Sequence, residues 1–162
     1  MLAAAGARVI HNPMTNQYLG DGICDVVALQ SLGVPMGLGT DADVAPSLID
    51  EMRAAALLQK ILHLDSAALD ARQAFELGTA QGARALRVAG GDLTVHQPAD
   101  YVVLDASHID PWSPPLNALV YRGDDSWVQA TFTGGRRVYV GEPSPLVRRA
   151  RDEVAAIAKR VV

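Results

Sequence analysis

Two short apolar runs separated by a helix-sized stretch limit the folds open to this chain more than any other feature. Ala7–His11 (Ala-Arg-Val-Ile-His) enters Asn12-Pro13, and Val34–Leu38 enters Gly39-Thr40-Asp41. Between them, Cys24–Ser31 reads as a short helix stopped near Gly33. The second run is apolar at successive positions instead of alternating, as in parallel strands covered on both faces by helices. Strand, helix, strand implies a right-handed parallel crossover, and both strands then end on the same edge of the sheet. An α/β architecture follows, with Asn12–Asn16 expected as a polar loop leaving that edge.

Upstream, Leu2-Ala3-Ala4-Ala5-Gly6 reads as the last turn of a helix closed by a Gly cap, an element without room for its own body. Downstream, Ile49, Met52, Ala56, Leu57 and Ile61 follow a helical period to about His63. Asp65 or Ser66 can cap a second helix running to Leu77, and Thr79 can start a third ending near Gly90-Gly91. The texture then changes. Ala99–Asp105, Trp127–Thr133 and Arg137–Val140 are short, rich in β-branched and aromatic residues, and separated by Gly, Pro and Asp, so they read as strands of a different layer. Ser144-Pro145 opens a closing helix whose apolar stripe is Leu146, Ala150, Val154, Ile157 and Val161.

Chemistry concentrates at the shared strand edge. Asp41 is an acid at the C-terminal end of a parallel strand, where loops of α/β barrels converge on ligands; the same Gly-Thr-Asp tripeptide is also an ordinary turn. His11, Asn12, Thr15 and Asn16 offer imidazole, amide and hydroxyl groups at the neighbouring strand end, although a lone histidine is ordinarily a core residue with one hydrogen bond. Asp43 is a second acid nearby whose default role is a cap. His63, His96 and His108 lie on a helix end and in the β-rich part, so none forms a His-x-His pair. A net charge of −4 with no Lys/Arg cluster disfavours nucleic acid, and no run approaches the ~20 apolar residues of a membrane span. Cys24 is the only cysteine, which excludes an intramolecular disulfide and fits a reducing cytoplasm.

The order His11-Asn12-Pro13-x-Thr15-Asn16, Gly20-x-Gly22-Ile23, Gly37-Leu38-Gly39-Thr40-Asp41, Glu51-Met52-Arg53-x-Ala55-x-Leu57-Leu58-Gln59-Lys60 carries a larger pattern. It continues through Ala80-x-Gly82-Ala83-x-Ala85-Leu86, Ala99–Asp105 and Gly134-Gly135-Arg136-Arg137-Val138-Tyr139. In this order and spacing the chain resembles the amidohydrolase superfamily, in particular its adenosine-type and guanine-type deaminases and triazine chlorohydrolases.

That resemblance implies a (β/α)8 TIM barrel with a composite β-sandwich. Residues 1–90 would be the last two barrel strands with their helices, 91–141 the C-terminal strands of the sandwich, and 142–162 a helix packing back on the barrel. It also implies a divalent metal, zinc or iron, held by histidines and by the Asp closing the last strand, whose counterpart is Asp41. Asp41 would be ligand and general base for hydrolysis of a non-peptide C–N bond in a small heterocyclic substrate, with His11, Asn12, Thr15 and Asn16 assigned to substrate recognition. The histidine ligands have no counterpart here, so the expected reading is a fragment of a longer frame, inactive alone, that associates as a homo-oligomer or through its exposed barrel strands. A split enzyme or a non-catalytic binding or dimerisation module is the alternative. The loop Ala42–Asp50 lacks the Gly and Ser-Asn-Asn stretch of many nucleoside-type deaminases, leaving the substrate open, and Gly91–Pro98 replaces the usual Gly-Lys turn.

Overall fold

The computed structural model describes residues 1–42, 46–142 and 145–161. Strands β1 (Val9–His11) and β2 (Met36–Leu38) pair in parallel, with Val9 opposite Met36 and His11 opposite Leu38. The crossover holds two helices, α1 (Pro13–Leu19) and α2 (Val26–Ser31). The first of these occupies the segment expected as a polar loop. Pro13 sits in its first turn, where a missing N–H costs nothing, and Gly20 at φ +74° closes it in the left-handed conformation, so the local chemistry is that of a helix. Ahead of β1, Gly6 at φ +63° ends a turn in which Ala7 N–H bonds Leu2 O and Gly6 N–H bonds Ala3 O, the bonding of a helix C-terminus.

Helices α3 (Leu48–His63), α4 (Ala71–Gly78) and α5 (Ala80–Leu86) pack on β2. The expected second helix begins later than Asp65. Asp65 accepts the Ala67 amide in a local turn, Lys60 Nζ holds the carbonyls of Ser66 and Leu69, and the true cap is Asp70, in a reciprocal capping box with Gln73. The core joins Val26, Val34, Met36, Met52, Ala55, Ala56, Leu69, Ala74, Leu77 and Val120. Close approach of α5 requires Gly37: a Cβ there would stand 2.8 Å from the Gly82 Cα.

The buried face of α3 differs from the expected stripe. Leu57 and Ile61 are exposed, whereas Glu51 and Gln59 are buried beside Met52, Ala55 and Ala56. The polar pair is tolerated because each closes the end of another helix. Gln59 Oε1 accepts the Val26 and Val27 amides at the start of α2 (3.0 and 3.4 Å), and its Nε2 donates to Cys24 O (2.8 Å). Glu51 Oε2 accepts the Met14 amide in the first turn of α1 (3.0 Å).

The remaining strands, β3 (Tyr101–Leu104), β4 (Val128–Thr133) and β5 (Arg136–Tyr139), form an antiparallel sheet in that order. Between β3 and β4 lies α6 (Pro115–Arg122), which the sequence pattern does not include. It buries Ala118, Leu119 and Val120, packing on α3 and α4, and Arg53 of α3 holds its last turn by donating to Val120 O (3.1 Å) and to Gly123 O. Helix α7 (Pro145–Val161) forms as expected, and the side chains described on it are exposed. Ser144 of its expected opening lies outside the described residues. The architecture is therefore mixed α/β. Among the described residues no helix is long and apolar enough to cross a membrane.

Candidate functional site

The parallel register His11↔Leu38 places the residues after β1 and those after β2 on one edge. A set of hydrogen bonds then ties the two connections together. Gly39 N–H donates to His11 O (3.0 Å), continuing the ladder, and Thr15 Oγ1 donates to Thr40 O (3.1 Å) from the first turn of α1. The Asn12 amide orientation follows from its surroundings: with Nδ2 toward the carbonyls it donates to Gly39 O (2.9 Å) and His11 O (3.3 Å). Glycine is required at 39, because a Cβ would lie 2.8 Å from both the Asn12 side chain and Ile10 Cγ2.

This clasp delivers Asp41. The residue has a left-handed backbone, φ +50°, unusual for a side chain other than glycine, and it is exposed. No described group hydrogen-bonds its carboxylate, so its oxygen lone pairs are open to an incoming cation or proton.

The structure separates the four residues expected beside it. His11 is 3% exposed and Thr15 2%, both beneath the surface, while Asn12 and Asn16 are half-buried at the edge. Burial holds the His11 imidazole neutral, lowering its pKa to about 4, and no described group hydrogen-bonds its Nε2. Glu51, 0% exposed, lies beneath the same edge, with Oε2 on the Met14 amide and Oε1 without a partner among the described residues. Burial pushes its carboxyl pKa up, the Met14 bond works against that, and the negative charges of Asp50 and Asp41 add to the rise. The signal that would have marked Glu51 in the sequence is its place four and eight residues before Ala55 and Gln59, on the inward face of α3.

The other candidates lie elsewhere. His63 Nε2 pairs with Asp25 (2.9 Å), His108 stacks on Trp127 at 5.2 Å, and His96 is in a turn at φ +75°. Asp43 is outside the described residues. Among the described residues no group of three or more His, Cys, Asp or Glu is placed to hold a metal ion. Asp41 thus fits as a single oxygen ligand to a divalent cation, and the residues described here do not close a coordination sphere around one.

Known proteins are similar to nearly the whole length of this chain. The amidohydrolase family model matches residues 1–138. A 5-methylthioadenosine/S-adenosylhomocysteine deaminase of Thermococcus onnurineus is 35% identical over 84% of this chain and 33% of its own length. The enzyme of the same name from Haloquadratum walsbyi is 34% identical over 99% of this chain and 39% of its own. A solved structure of an adenosine deaminase from Xanthomonas campestris with bound zinc superposes at a TM-score of 0.86 and 29% identity, over 99% of this chain and 39% of that one. The chain therefore spans about two-fifths or less of the proteins it matches.

Proposed function

This chain belongs to the amidohydrolase family, and we propose that it supplies the closing strands and one metal ligand of a metal-dependent deaminase whose remaining ligands come from polypeptide outside it. The observation that carries the reading is Asp41: a carboxylate that no described group hydrogen-bonds, held at the common end of two parallel strands by the Gly39, Thr15 and Asn12 bonds. In this reading residues 1–90 are the last part of a (β/α)8 barrel, 91–141 the C-terminal strands of a composite β-sandwich, and 142–162 a helix for the barrel's outer layer.

Zinc is favoured over iron by the zinc-bound relative. Asp41 would hold a divalent ion through its carboxylate, and the ion, when bound, would lower the pKa of a water toward neutrality. The carboxylate takes the proton released as water adds to the carbon of the C–N bond, and returns it to the nitrogen as that bond breaks and ammonia leaves. Asn12 and Asn16, with partly open amides, form the recognition edge, and buried His11 and Thr15 shape it from beneath. The names of the relatives point to the amino group of an adenosine-type nucleoside as substrate. Exposed Leu57 and Ile61 on α3 would be covered by association, with another copy or with the missing part of the barrel. A lone cysteine suits a reducing cytoplasm.

The test is metal content and ammonia release from adenosine-type nucleosides, purines, pterins and triazines. It is run on this chain and on the chain joined to, or mixed with, the polypeptide carrying the histidines. The complete enzyme should bind about one metal ion and turn over, Asp41→Asn should lower turnover by several orders of magnitude, and this chain alone should do neither. Near-normal turnover of Asp41→Asn, or tight metal binding by this chain alone, overturns the assignment.

A further inference from the structure

We infer that Glu51 and Thr15 are positioning residues for Asp41, linked as a relay that runs from α3 through the first turn of α1 to the end of β2. The inference rests on the reading of Asp41 as metal ligand and deepens it. Glu51 belongs to no strand end and touches no reacting group, yet it is 0% exposed on a helix whose other inward residues are mostly alanine and methionine. An acid in that position is costly unless its oxygens are engaged. Among the described residues its side chain engages the Met14 amide at 3.0 Å, in the first turn of α1, which has no capping bond from its own Asn12 side chain. Glu51 therefore does from outside what a local cap does elsewhere, and the helix it anchors is the one that carries Thr15.

Thr15 continues the link. Its side chain, 2% exposed, donates to Thr40 O at 3.1 Å, one residue before Asp41. Asp41 needs such a hold because its backbone is left-handed, φ +50°, a conformation disfavoured for a side chain. Freed from the Thr40 bond, residues 40–41 can relax to ordinary backbone, and the carboxylate swings off the strand edge. The opposite end of the same strand pair, where Val9 N–H bonds Pro35 O at 3.0 Å, is outside this relay and serves as an internal control.

Two readouts test the inference. Amide exchange in the full chain compares Gly39 N–H, bonded to His11 O, with Val9 N–H. Zinc affinity, with the visible spectrum of the cobalt-substituted form, is measured on the complete enzyme. Glu51→Ala and Thr15→Val should each speed exchange at Gly39 at least tenfold more than at Val9, weaken zinc binding at least tenfold, and lower kcat with KM little changed. Glu51→Gln, which keeps an acceptor for Met14, and Thr15→Ser, which keeps the donor, should restore all three. If Glu51→Ala does not fold, Thr15→Val and its serine rescue decide alone. Equal acceleration at Gly39 and Val9, or unchanged zinc affinity with only lowered stability, overturns the relay. Failure of Asp41→Asn to weaken zinc binding removes the ligand reading instead, and the exchange comparison still judges the coupling.

Discussion

Replacing Gln59 by leucine should be among the more damaging single changes in this chain, although Gln59 lies on a helix and its side chain forms no ion pair. The side chain is 0% exposed and makes three hydrogen bonds to the turn that starts α2. Leucine fills similar space, so the loss is polar. Without Gln59 Oε1 the Val27 N–H has no acceptor, and Val26 N–H keeps only its short-range bond to Cys24 O. Leaving one partly buried donor unpaired and weakening another costs about 2–3 kcal/mol, from the ~1–3 kcal/mol that an unsatisfied buried group carries. Asp25, the local cap, accepts the Ala28 amide (2.9 Å) and pairs with His63 Nε2 (2.9 Å) at a half-buried position, so Asp25→Ala should cost about 1 kcal/mol. Urea unfolding of the full chain, with unchanged dependence on denaturant, should therefore rank Gln59→Leu as the larger loss. A loss below about 0.5 kcal/mol, or the reverse ranking, would show that α2 is held by its own cap and by packing, refuting the role given to α3.

Gly37→Ala should destabilise by about 1–3 kcal/mol, read as a lower urea midpoint, because its Cβ meets the backbone of Gly82, which cannot swing aside. His11 is held neutral with a pKa of about 4 against an ordinary 6.5, so unfolding takes up a proton between those values. Its contribution is complete above pH 6.5 and is lost toward pH 4, at up to ~1.4 kcal/mol per pH unit and about 3 kcal/mol in all. Burial raises the Glu51 carboxyl and acts in the opposite direction, so the measurement is the difference between the native chain and His11→Leu at each pH; parallel curves would refute it. Asp41→Gly should raise stability by about 1 kcal/mol by relieving the left-handed backbone, while abolishing zinc binding in the complete enzyme. Calorimetry and metal titration on the same variant check both halves.

Much of the framework was legible because local rules wrote it. The doubly apolar run at Val34–Leu38 and its crossover from Ala7–His11 became the parallel pair β1–β2, and Tyr101–Leu104, Val128–Thr133 and Arg136–Tyr139 became strands. Asp41 was singled out by its expected place after a strand, and it does follow β2. Misreadings came where turn chemistry and helix chemistry share residues. Pro13 and Pro115 open helices, as Pro in a first turn can, and a reading of Pro as punctuation passes over both. Asp65 and Asp70 are equally good caps by type, and only the Gln73 side chain, returning to the Asp70 amide, selects the second.

The sequence by itself determined the strands and most of the helices, that the first two strands run parallel, and that His11 and Asp41 come to one edge. These follow from periodicity, caps and the handedness of crossovers, all of which act over a few residues. The tertiary structure alone decided which side chains at that edge are open and which are buried. It closed Asn12 onto Gly39, put His11 and Thr15 below the surface, and turned Glu51 and Gln59 inward while Leu57 and Ile61 stayed outside. A polar residue is buried when a particular unpaired backbone group lies within its reach. The Met14 and Val26 amides that engage Glu51 and Gln59 are 37 and 33 residues away along the chain, a separation that only the folded packing brings within hydrogen-bond distance.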